Sequence, residues 1–415
     1  MSGLNIIYIV DTVYPYYDGG HERRFFELAK RLAMRGCKVT IFTSIPRNTC
    51  HNGINFINVC YRKSFFTDYG YRSISGEVEF SIKLFEKIIK YEKLIKSSDI
   101  IEVNQSSLFH IFPVKILRRT VDGELRLAMT VHECLIEYFN DYWRSRLSSL
   151  KLYGVLGLVS KSLYLNALKC ADFYIVPSKP VFKSLIQHGV AKEKIQYIPN
   201  GIDIKLYSKY RSKQTSKNKL TISFLGRLVP EKRVEWIIVA LKNILRRNPT
   251  LTGRLEVNII GSGPLTPTLN NLVYRYGLNG IVKLRGYVSD NEKLNLLAES
   301  DIFCLPSRRE GFSLALLEAM FFGAAPIVTI DSKRIGINGV LELISHLRNG
   351  YVTHSFNEFR NGLYRLIIDD DLRSMLQRNA MKTAEHYDWD NITLKAENIY
   401  RKISNNLKPP DTNYS

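Results

Sequence analysis

The chain has 415 residues, a length that favours two domains of about 200 residues each over one hydrophobic core. Its hydrophobic fraction of 45% excludes a disordered chain, and its formal net charge of +20 favours phosphorylated small molecules, anionic lipids or nucleic acid as partners. The sequence contains no zinc-ligand spacing and no recognisable nucleic-acid-binding module, so we expect no nucleic-acid partner.

The cysteines and the N-terminal residues bear on the cellular compartment. The six cysteines form no Cys-x-x-Cys pair and no regular framework, which is typical of reduced residues in the cytosol. Residues 4–10 form an apolar, strand-like run and lack the charged leader and cleavage site of a signal peptide. No stretch reaches the ~20 apolar residues that a membrane-spanning helix needs. We therefore expect a cytoplasmic protein.

The first half of the chain alternates strand-like and helix-like segments. Strands are predicted at residues 4–10, 38–42, 56–59, 99–103, 127–131 and, as the last of the set, 173–176. Helices are predicted at residues 20–35 and 78–95. Strands separated by helical runs predict a parallel sheet with helices on both faces.

The second half repeats this pattern after a polar, Ser-rich and basic segment, 207–219, which is the best candidate for a linker. Strands are predicted at residues 221–225, 255–260, 282–284, 301–305 and 325–329, with helices at 234–245, 269–276 and 392–403. The fold class is therefore α/β, with two similar lobes meeting at a cleft. Ligands of such sheets bind at the carboxyl ends of the strands.

Two glutamates, Glu310 and Glu318, follow the predicted strand 301–305 in one run. Eight helical residues return to within roughly 80° of the same helix face, so both carboxylates would share that face. Together with the helix N-terminal amides between them, they can hold sugar hydroxyls and receive a phosphate. The alternative is a solvated helix with two surface glutamates.

A second motif places Arg227 and Lys232 on the turn after the predicted strand 221–225. Two cations there suit a diphosphate leaving group, whose departure builds negative charge. The alternative is a pair of solvated cations near a helix start. The helix dipole disfavours cations at that position, which argues for a bound anion.

Paired glycines occur at two further strand ends. Gly261 and Gly263 follow the predicted strand 255–260, but the third glycine of the dinucleotide-binding fingerprint is missing. Gly19 and Gly20 precede the first helix, where glycine lets a ligand approach the backbone and the helix N-terminus favours an anion. Most loops like that of Gly261 and Gly263 are simply tight turns, and a plain turn would explain Gly19 and Gly20 equally well.

With these motifs assembled, the chain resembles the retaining, GT-B-fold glycosyltransferases of the group-1 or family-4 (GT4) type. The resemblance covers nearly the whole chain, through Gly19-Gly20, Val131-His132-Glu133, the run at 198–203, Gly226-Arg227 with Lys232, Gly261 to Pro264, and Glu310 to Glu318. It implies two Rossmann-like, doubly wound domains that face each other across a cleft. Residues 1–206 would form the acceptor-side domain and 220–390 the nucleotide-sugar donor domain, with a C-terminal helix near 391–405 crossing back to the first.

The resemblance also implies residue roles. Arg227 and Lys232 would bind the donor diphosphate, Glu310 the hydroxyls of the donor sugar, and His132 the same sugar near the reacting centre. Glu318 would hold the ribose. The other implied donor-binding residues are Gly19, Gly20, Gly261, Gly263, Gly311, Phe312, Ser313 and Leu314, and the base would lie near Gly286 and Tyr287. Without the resemblance, a histidine at a strand end such as His132 is more often a hydrogen-bonded structural residue.

The chain departs from the family pattern at two places. Arg233 stands where the family has a glycine after the motif lysine, which puts the turn geometry in question. The family's Gly-Gly-x-x-Glu segment appears as Asn338-Gly339 followed by Glu342, after an unusual stretch at 332–337. Donor choice is therefore the property that transfers least.

The implied activity is a hexosyltransferase that moves a sugar, with retention, from a UDP- or GDP-sugar to a hydroxyl of a glycan or lipid-linked acceptor. No cofactor and no metal are expected, because Asp388 and Asp390 precede a predicted helix and helix capping explains their Asp-x-Asp spacing. Two alternatives stay open. One is a sugar-nucleotide epimerase or hydrolase of the same fold, and the other is a non-catalytic sugar-nucleotide-binding partner in a glycan assembly complex.

Residues 142–169 mix aromatic residues, leucines and basic residues without any acid. Such a segment suits an anionic membrane surface, and a buried helix pair with basic edges explains it equally well. Peripheral attachment at the inner face of the membrane is thus an alternative to a purely cytoplasmic location.

Overall fold

The computed structural model describes residues 3–65, 73–105, 110–120, 126–133, 153–211, 219–331 and 338–405. The chain divides into two compact units. One is built from residues up to 199 together with those from 390 onward, and the other from residues 200–389. Each unit contains a sheet of parallel strands with helices packed on it, so the predicted α/β class is confirmed.

The sheet of the first unit has eight strands in the order β3-β4-β2-β1-β5-β6-β7-β8, and all pairs are parallel except β3 with β4. Its central strands are buried on both faces, as packing between two helix layers requires, and most of their side chains are apolar. The strands are β1 (Asn5–Ile9), β2 (Lys38–Thr43), β3 (Thr49–His51), β4 (Ile54–Asn58), β5 (Ile100–Asn104), β6 (Leu127–Thr130), β7 (Phe173–Val176) and β8 (Ile195–Tyr197).

The helices described in the first unit are α1 (Gly20–Met34), α2 (Ile74–Lys90), α3 (Glu92–Lys96), α4 (Ile111–Thr120), α5 (Tyr153–Leu168), α6 (Lys179–Gln187) and the C-terminal α14 (Trp389–Ser404), whose first residue belongs to the other unit. The single helix predicted at 78–95 is in fact two. The backbone leaves helical geometry at Tyr91, with φ −105° and ψ 24°, and α3 starts at the next residue.

The C-terminal helix α14 is anchored in the first unit by buried polar contacts. Tyr400 donates a hydrogen bond of 2.5 Å to Glu102 on β5, and its hydroxyl lies 3.2 Å from that of Tyr8 on β1. Arg35 donates to Glu397 over 2.5 Å, and Arg31 pairs with Asp390 over 2.9 Å. Burial raises the pKa of Glu102, and the hydrogen bonds act in the opposite direction. These contacts explain why α14 belongs to this unit.

We expect Tyr400→Phe to lower the stability of the protein by about 1–3 kcal/mol, because it removes a donor from a fully buried carboxyl group. The melting temperature measures this loss. Tyr274→Phe is the matched control, since Tyr274 is 76% exposed. Equal melting temperatures for both variants would show that the contact with Glu102 does not hold the helix.

The sheet of the second unit has six parallel strands in the order β11-β10-β9-β12-β13-β14. Its strands are β9 (Leu220–Leu225), β10 (Leu255–Ile260), β11 (Val282–Gly286), β12 (Ile302–Leu305), β13 (Ala325–Thr329) and β14 (Tyr351–Thr353). Its helices are α7 (Ile204–Arg211), α8 (Glu235–Arg247), α9 (Thr266–Arg275), α10 (Asp290–Ala298), α11 (Leu314–Phe321), α12 (Phe356–Ile368) and α13 (Asp370–Ala384).

Two predictions about the chain's organisation are corrected. The strand at 173–176 does not end the first sheet, because the three-residue β8 pairs beside it. The predicted linker 207–219 begins inside α7, where Tyr207 is buried because it stacks on Phe322 at 5.6 Å. Tertiary packing thus overrides the polar composition there, and residues 212–218 lie outside the described residues.

Candidate functional site

Three neighbouring strands of the second unit end in glycines with positive φ. These are Gly226 after β9, Gly261 after β10 and Gly286 at the end of β11, with φ of 156°, 129° and 67°. The Gly261 N–H donates to the Gly286 carbonyl over 2.8 Å, and a Cβ on Gly261 would lie 2.0 Å from the Gly226 oxygen. Gly261 therefore leaves no room for a side chain, and the positive φ favours glycine at all three strand ends.

Gly263 has the same steric role one turn further on. A Cβ there would lie 2.4 Å from the Leu228 carbonyl oxygen. The Leu228 N–H donates to the Ser262 carbonyl over 2.9 Å, and the Leu228 carbonyl accepts from Leu265 over 3.0 Å. Gly261 and Gly263 thus fix the loop that carries Arg227, so the tight-turn explanation accounts for these two glycines within the chain itself.

Lys232 and Glu310 form an ion pair at this edge of the sheet. The Lys232 Nζ lies 2.5 Å from the Glu310 Oε1, and the two side chains are only 19% and 10% exposed. Lys232 ends a short 3-10 turn, and the adjoining Glu231 carbonyl accepts from the Arg308 N–H over 2.7 Å. The structure therefore joins the loop after β9 to the loop after β12 and brings two of the predicted catalytic side chains together.

The segment Asn338-Gly339 closes on the Glu310 loop. The Gly339 N–H donates to the Glu310 carbonyl over 2.8 Å, and a Cβ on Gly339 would lie 1.7 Å from the Gly311 oxygen. The Asn338 Oδ1 accepts from the Val340 N–H over 3.1 Å and starts a 3-10 turn at Gly339–Glu342. One glycine thus meets the steric demand that this contact makes, although the sequence lacks the family's pair.

The helix α11 begins only at Leu314, so the expectation that Glu310 shares a helix face with Glu318 is wrong. Ser313 has φ 72° and its hydroxyl caps the helix by accepting from the Leu316 N–H over 3.3 Å. Phe312 is buried against the ring of Tyr387, with ring centroids 5.7 Å apart. These two residues set the sharp turn between the Glu310 loop and α11.

Glu318 has its own buried partners. Its Oε1 accepts from the Tyr207 hydroxyl over 2.6 Å and from the Lys293 Nζ over 2.9 Å. The two glutamates therefore belong to separate ion pairs, one with Lys232 and one with Lys293. Sequence reasoning missed Tyr207 and Lys293, because they come from α7 and α10 and show no local motif.

Arg233 adopts the left-handed backbone of the glycine that it replaces. Its φ is 49° and its ψ is 39°, and its guanidinium carbon lies 4.7 Å from the ring centroid of Trp236. Burial lowers the pKa of Arg233, and the positive charge of Arg308 lowers it further. The departure from the family pattern therefore leaves the turn geometry that a glycine would allow.

In the first unit, Gly19 makes room for a buried carboxylate. It precedes α1 in an extended conformation, and a Cβ there would lie 2.4 Å from the Glu22 Oε2. Glu22 lies 2.8 Å from the His21 Nε2 and accepts from the Thr12 hydroxyl over 2.8 Å. Burial raises the pKa of Glu22, but His21 and the hydrogen bonds outweigh this effect and leave it lowered.

His132 lies beside this cluster. Its backbone N–H donates to the Gln105 Oε1 over 2.7 Å. The centroid of its ring lies 5.6 Å from that of the His21 ring and 5.8 Å from that of the Phe25 ring. The structure thus brings His132 near the start of α1, which begins at Gly20. Sequence reasoning missed Thr12 and the contribution of His21 and Glu22, although the latter two directly follow the glycine pair.

Two further expectations concern metal and membrane. Within the described ranges, no three His, Cys, Asp or Glu side chains are arranged to hold a metal ion, and Asp390 pairs with Arg31. None of the described helices is long and apolar enough to cross a lipid bilayer. Residues 142–152 lie outside the described residues, while α5 covers most of the rest of segment 142–169.

Both halves of the chain match models of glycosyltransferase families. The family model described as Glycosyltransferase Family 4 matches residues 18–206, and the model described as Glycosyl transferases group 1 matches residues 208–383. Among relatives, the chain is 30% identical over 223 residues to an uncharacterized glycosyltransferase of Methanocaldococcus jannaschii, covering 51% of this chain and 54% of the relative.

It is 31% identical over 235 residues to the UDP-Gal:alpha-D-GlcNAc-diphosphoundecaprenol alpha-1,3-galactosyltransferase of Escherichia coli, covering 54% of this chain and 58% of that enzyme. The chain thus spans about half the length of these relatives.

Solved structures support the fold. The sucrose-phosphate synthase of Thermosynechococcus elongatus superposes with a TM-score of 0.76 at 20% identity, covering 96% of this chain and 99% of that one. HepE from Anabaena, in complex with UDP-glucose, gives a TM-score of 0.67 at 20% identity, covering 95% and 99%. The fold is GT-B, and the chain belongs to the glycosyltransferases of the group-1 and family-4 type.

Proposed function

We propose that the protein is a retaining hexosyltransferase that uses a nucleotide diphosphate sugar, a UDP- or GDP-sugar, as donor. The observation that carries this proposal is the Lys232–Glu310 ion pair, which joins loops from two strands, with Gly339 bonded to the backbone of the Glu310 loop. The Lys232 cation can bind a diphosphate, and the neighbouring Glu310 carboxylate can accept hydrogen bonds from sugar hydroxyls. A nucleotide diphosphate sugar carries both a diphosphate and sugar hydroxyls.

The proposed chemistry is mainly electrostatic. The bond between the anomeric carbon and the diphosphate oxygen breaks, and Lys232 and Arg227 stabilise the negative charge that develops on the leaving group. The acceptor hydroxyl forms the new bond on the same face of the sugar, and its proton passes to a diphosphate oxygen. Glu310 orients the sugar, so positioning supplies a further part of the rate.

Three other roles belong to the same proposal. We assign His132 to the donor sugar near the reacting centre and Glu318 to the ribose of the nucleotide. The amides from Gly311 to Leu314 would contact sugar and phosphate. Glu318 is already satisfied by Tyr207 and Lys293, so ribose binding would add to these bonds or replace one of them.

A thermal-shift screen of nucleotide diphosphates and their sugars tests the donor class, because a ligand that binds only the folded state raises the melting temperature. We expect either the uridine or the guanosine nucleotides to give the larger shift in melting temperature. NMR of the glycoside product then reports its anomeric configuration. An inverted product, or no shift with either base, would contradict the proposal.

The acceptor side of the proposal is a glycan or a lipid-linked glycan. Its support is the Escherichia coli relative, a galactosyltransferase that acts on an alpha-D-GlcNAc-diphosphoundecaprenol acceptor. Two alternatives give different results in the same assay. Conversion of the donor without any acceptor indicates an epimerase or hydrolase, and donor binding without turnover across an acceptor panel indicates a binding partner.

We also propose that α5 contacts an anionic membrane surface. One side of this helix exposes four apolar side chains, at fractions from 40% to 68%: Val155, Leu158, Val159 and Leu163. The helix lies in a stretch of the sequence, 142–169, that carries basic residues and no acid, which complements anionic lipid.

Sedimentation with vesicles of phosphatidylglycerol and phosphatidylcholine tests this surface. We expect the double variant Leu158→Glu, Val159→Glu to weaken vesicle binding roughly tenfold or more, since it removes two apolar contacts and adds two repelled charges. Tyr274→Glu, at an exposed residue of the second unit, is the control. Unchanged sedimentation of the double variant would exclude α5 as the contact.

A further inference from the structure

Arg233 occupies a backbone conformation that favours glycine. Its φ of 49° lies in the left-handed region, where a residue with a Cβ is strained. A glycine would adopt the same turn without this cost. The turn itself does not need an arginine, so we expect the contacts of its side chain to explain its presence.

The Arg233 side chain is placed by an aromatic ring. Its guanidinium lies over Trp236, and Trp236 packs in turn against Phe356 at a centroid distance of 5.4 Å. Such stacking fixes the plane of the guanidinium but leaves its N–H groups available at the edge. The group is thus held in one orientation as a fork of hydrogen-bond donors.

The loop after β12 brings a second arginine, Arg308, to this turn. Arg308 is exposed, and its backbone is tied to Glu231, two residues before Arg233. Across the described part of the chain, neither guanidinium has an ion pair or a hydrogen bond. Two like charges brought together without a paired carboxylate are unfavourable unless an anion joins them.

Two acidic groups, Asp331 after β13 and Glu235 at the start of α8, raise the pKa of Arg233 and so oppose the effect of Arg308. Neither forms an ion pair with Arg233 in the described chain, and the Glu235 Oε2 is buried without a hydrogen-bond partner. The acids therefore moderate the positive potential but do not occupy the donors of either arginine.

These two arginines border the site already described. Arg233 directly follows Lys232, and Arg308 stands two residues before Glu310. The Lys232–Glu310 pair joins the same two loops, so a group bound to the arginines would belong to the same substrate complex.

We propose that Arg233 and Arg308 form a second oxyanion subsite, which binds a carboxylate or phosphate group of a substrate in addition to the donor diphosphate. The inference rests on the proposed function and names its substrate class: one of the two substrates carries an extra negative charge. That charge sits either on the transferred sugar, as in a uronic acid donor, or on the acceptor, as a phosphate. Bidentate arginine contacts suit both groups.

Calorimetric titration of the full chain separates the two sources. Donor pairs that differ only in a carboxylate, UDP-glucose with UDP-glucuronate and GDP-mannose with GDP-mannuronate, probe the transferred sugar. Inorganic phosphate titrated into protein saturated with the nucleotide diphosphate probes the acceptor side. The variants are Arg233→Gly, Arg308→Gln and the double variant, with Arg365→Gln on α12 as the control.

We expect the wild type to prefer the uronate donor or to bind phosphate. The double variant should lose that preference or that binding by about tenfold or more, while the Kd of UDP or GDP changes little. Arg233→Gly should fold with an equal or higher melting temperature, because it relieves the strained turn.

Each outcome decides one claim. The subsite would be overturned if the wild type binds the nucleotide but shows neither a uronate preference nor phosphate binding. It would also be overturned if the double variant keeps whichever of these the wild type shows. A wild-type protein that binds neither nucleotide diphosphate would contradict the proposed function itself. If the double variant loses the same affinity for all donors, with or without the extra carboxylate, the arginines serve only the diphosphate. That result would also overturn the subsite.

Discussion

Replacing Lys232 by methionine should reduce kcat by about 10²–10³-fold, because the variant lacks the cation that stabilises the departing diphosphate. The methionine keeps much of the side-chain volume, so the 3-10 turn at Pro230–Lys232 is expected to persist. The Glu310 carboxylate loses its partner at 2.5 Å, so its orientation toward the sugar should also suffer. Initial rates of sugar transfer at saturating donor measure the effect.

Lys283→Met is the matched control for this experiment. Lys283 is also an ion-paired lysine of the second unit, with its Nζ 3.0 Å from the Glu256 Oε1, but it lies on β11 and not in the candidate site. Its replacement should leave the rate within about twofold, as expected for a surface ion pair. Equal losses in both variants, or full activity of Lys232→Met, would remove Lys232 from the mechanism.

Gly339→Ala should reduce kcat/KM by about 10²-fold through a single added methyl group. The new Cβ would lie 1.7 Å from the Gly311 oxygen and 2.2 Å from its carbonyl carbon, so one backbone segment has to move. A displacement of about 1 Å beside the reacting groups costs a factor of this size. Donor titration and initial rates together report whether binding or turnover is lost.

Gly280→Ala provides the control for the added methyl group. A Cβ on Gly280 would meet no atom within 4 Å, so this variant should keep wild-type activity and stability. The melting temperature of Gly339→Ala needs to stay close to that of the control for the comparison to concern the site. Wild-type activity of Gly339→Ala would show that the contact with the Glu310 loop does not position the donor.

The sequence predicted the inner strands well and the short strands at the sheet edges poorly. The strands β7, β10 and β13 lie where they were predicted, because a strand covered on both faces appears as a continuous apolar run. The strands β3, β8 and β14 have three residues each, which is too short for a pattern to emerge.

In the candidate site, residues that follow strand ends could be predicted from the sequence, and partners distant in the chain could not. Arg227, Lys232 and Glu310 follow strand ends and stand out by type and spacing, so local sequence was enough to nominate them. Glu318 does not share a helix face with Glu310, because Ser313, with φ 72°, caps α11 and the helix begins only at Leu314. The partners of Glu318 lie 111 and 25 residues away in the chain, and only the tertiary fold reveals them.

Arg233 shows a different limit. The sequence has an arginine where the family has a glycine, which puts the turn geometry in question. The structure keeps the turn, because the left-handed conformation is strained but accessible and the guanidinium gains a contact with Trp236. Such compensation depends on atoms that a motif does not describe.

Diffraction from crystals grown with the preferred nucleotide diphosphate sugar tests the central claim most directly. We predict density for the diphosphate at Arg227 and Lys232, with the sugar hydroxyls on Glu310 and the amides that follow it. A donor bound elsewhere, with the Lys232–Glu310 ion pair intact and untouched by the ligand, would contradict the account.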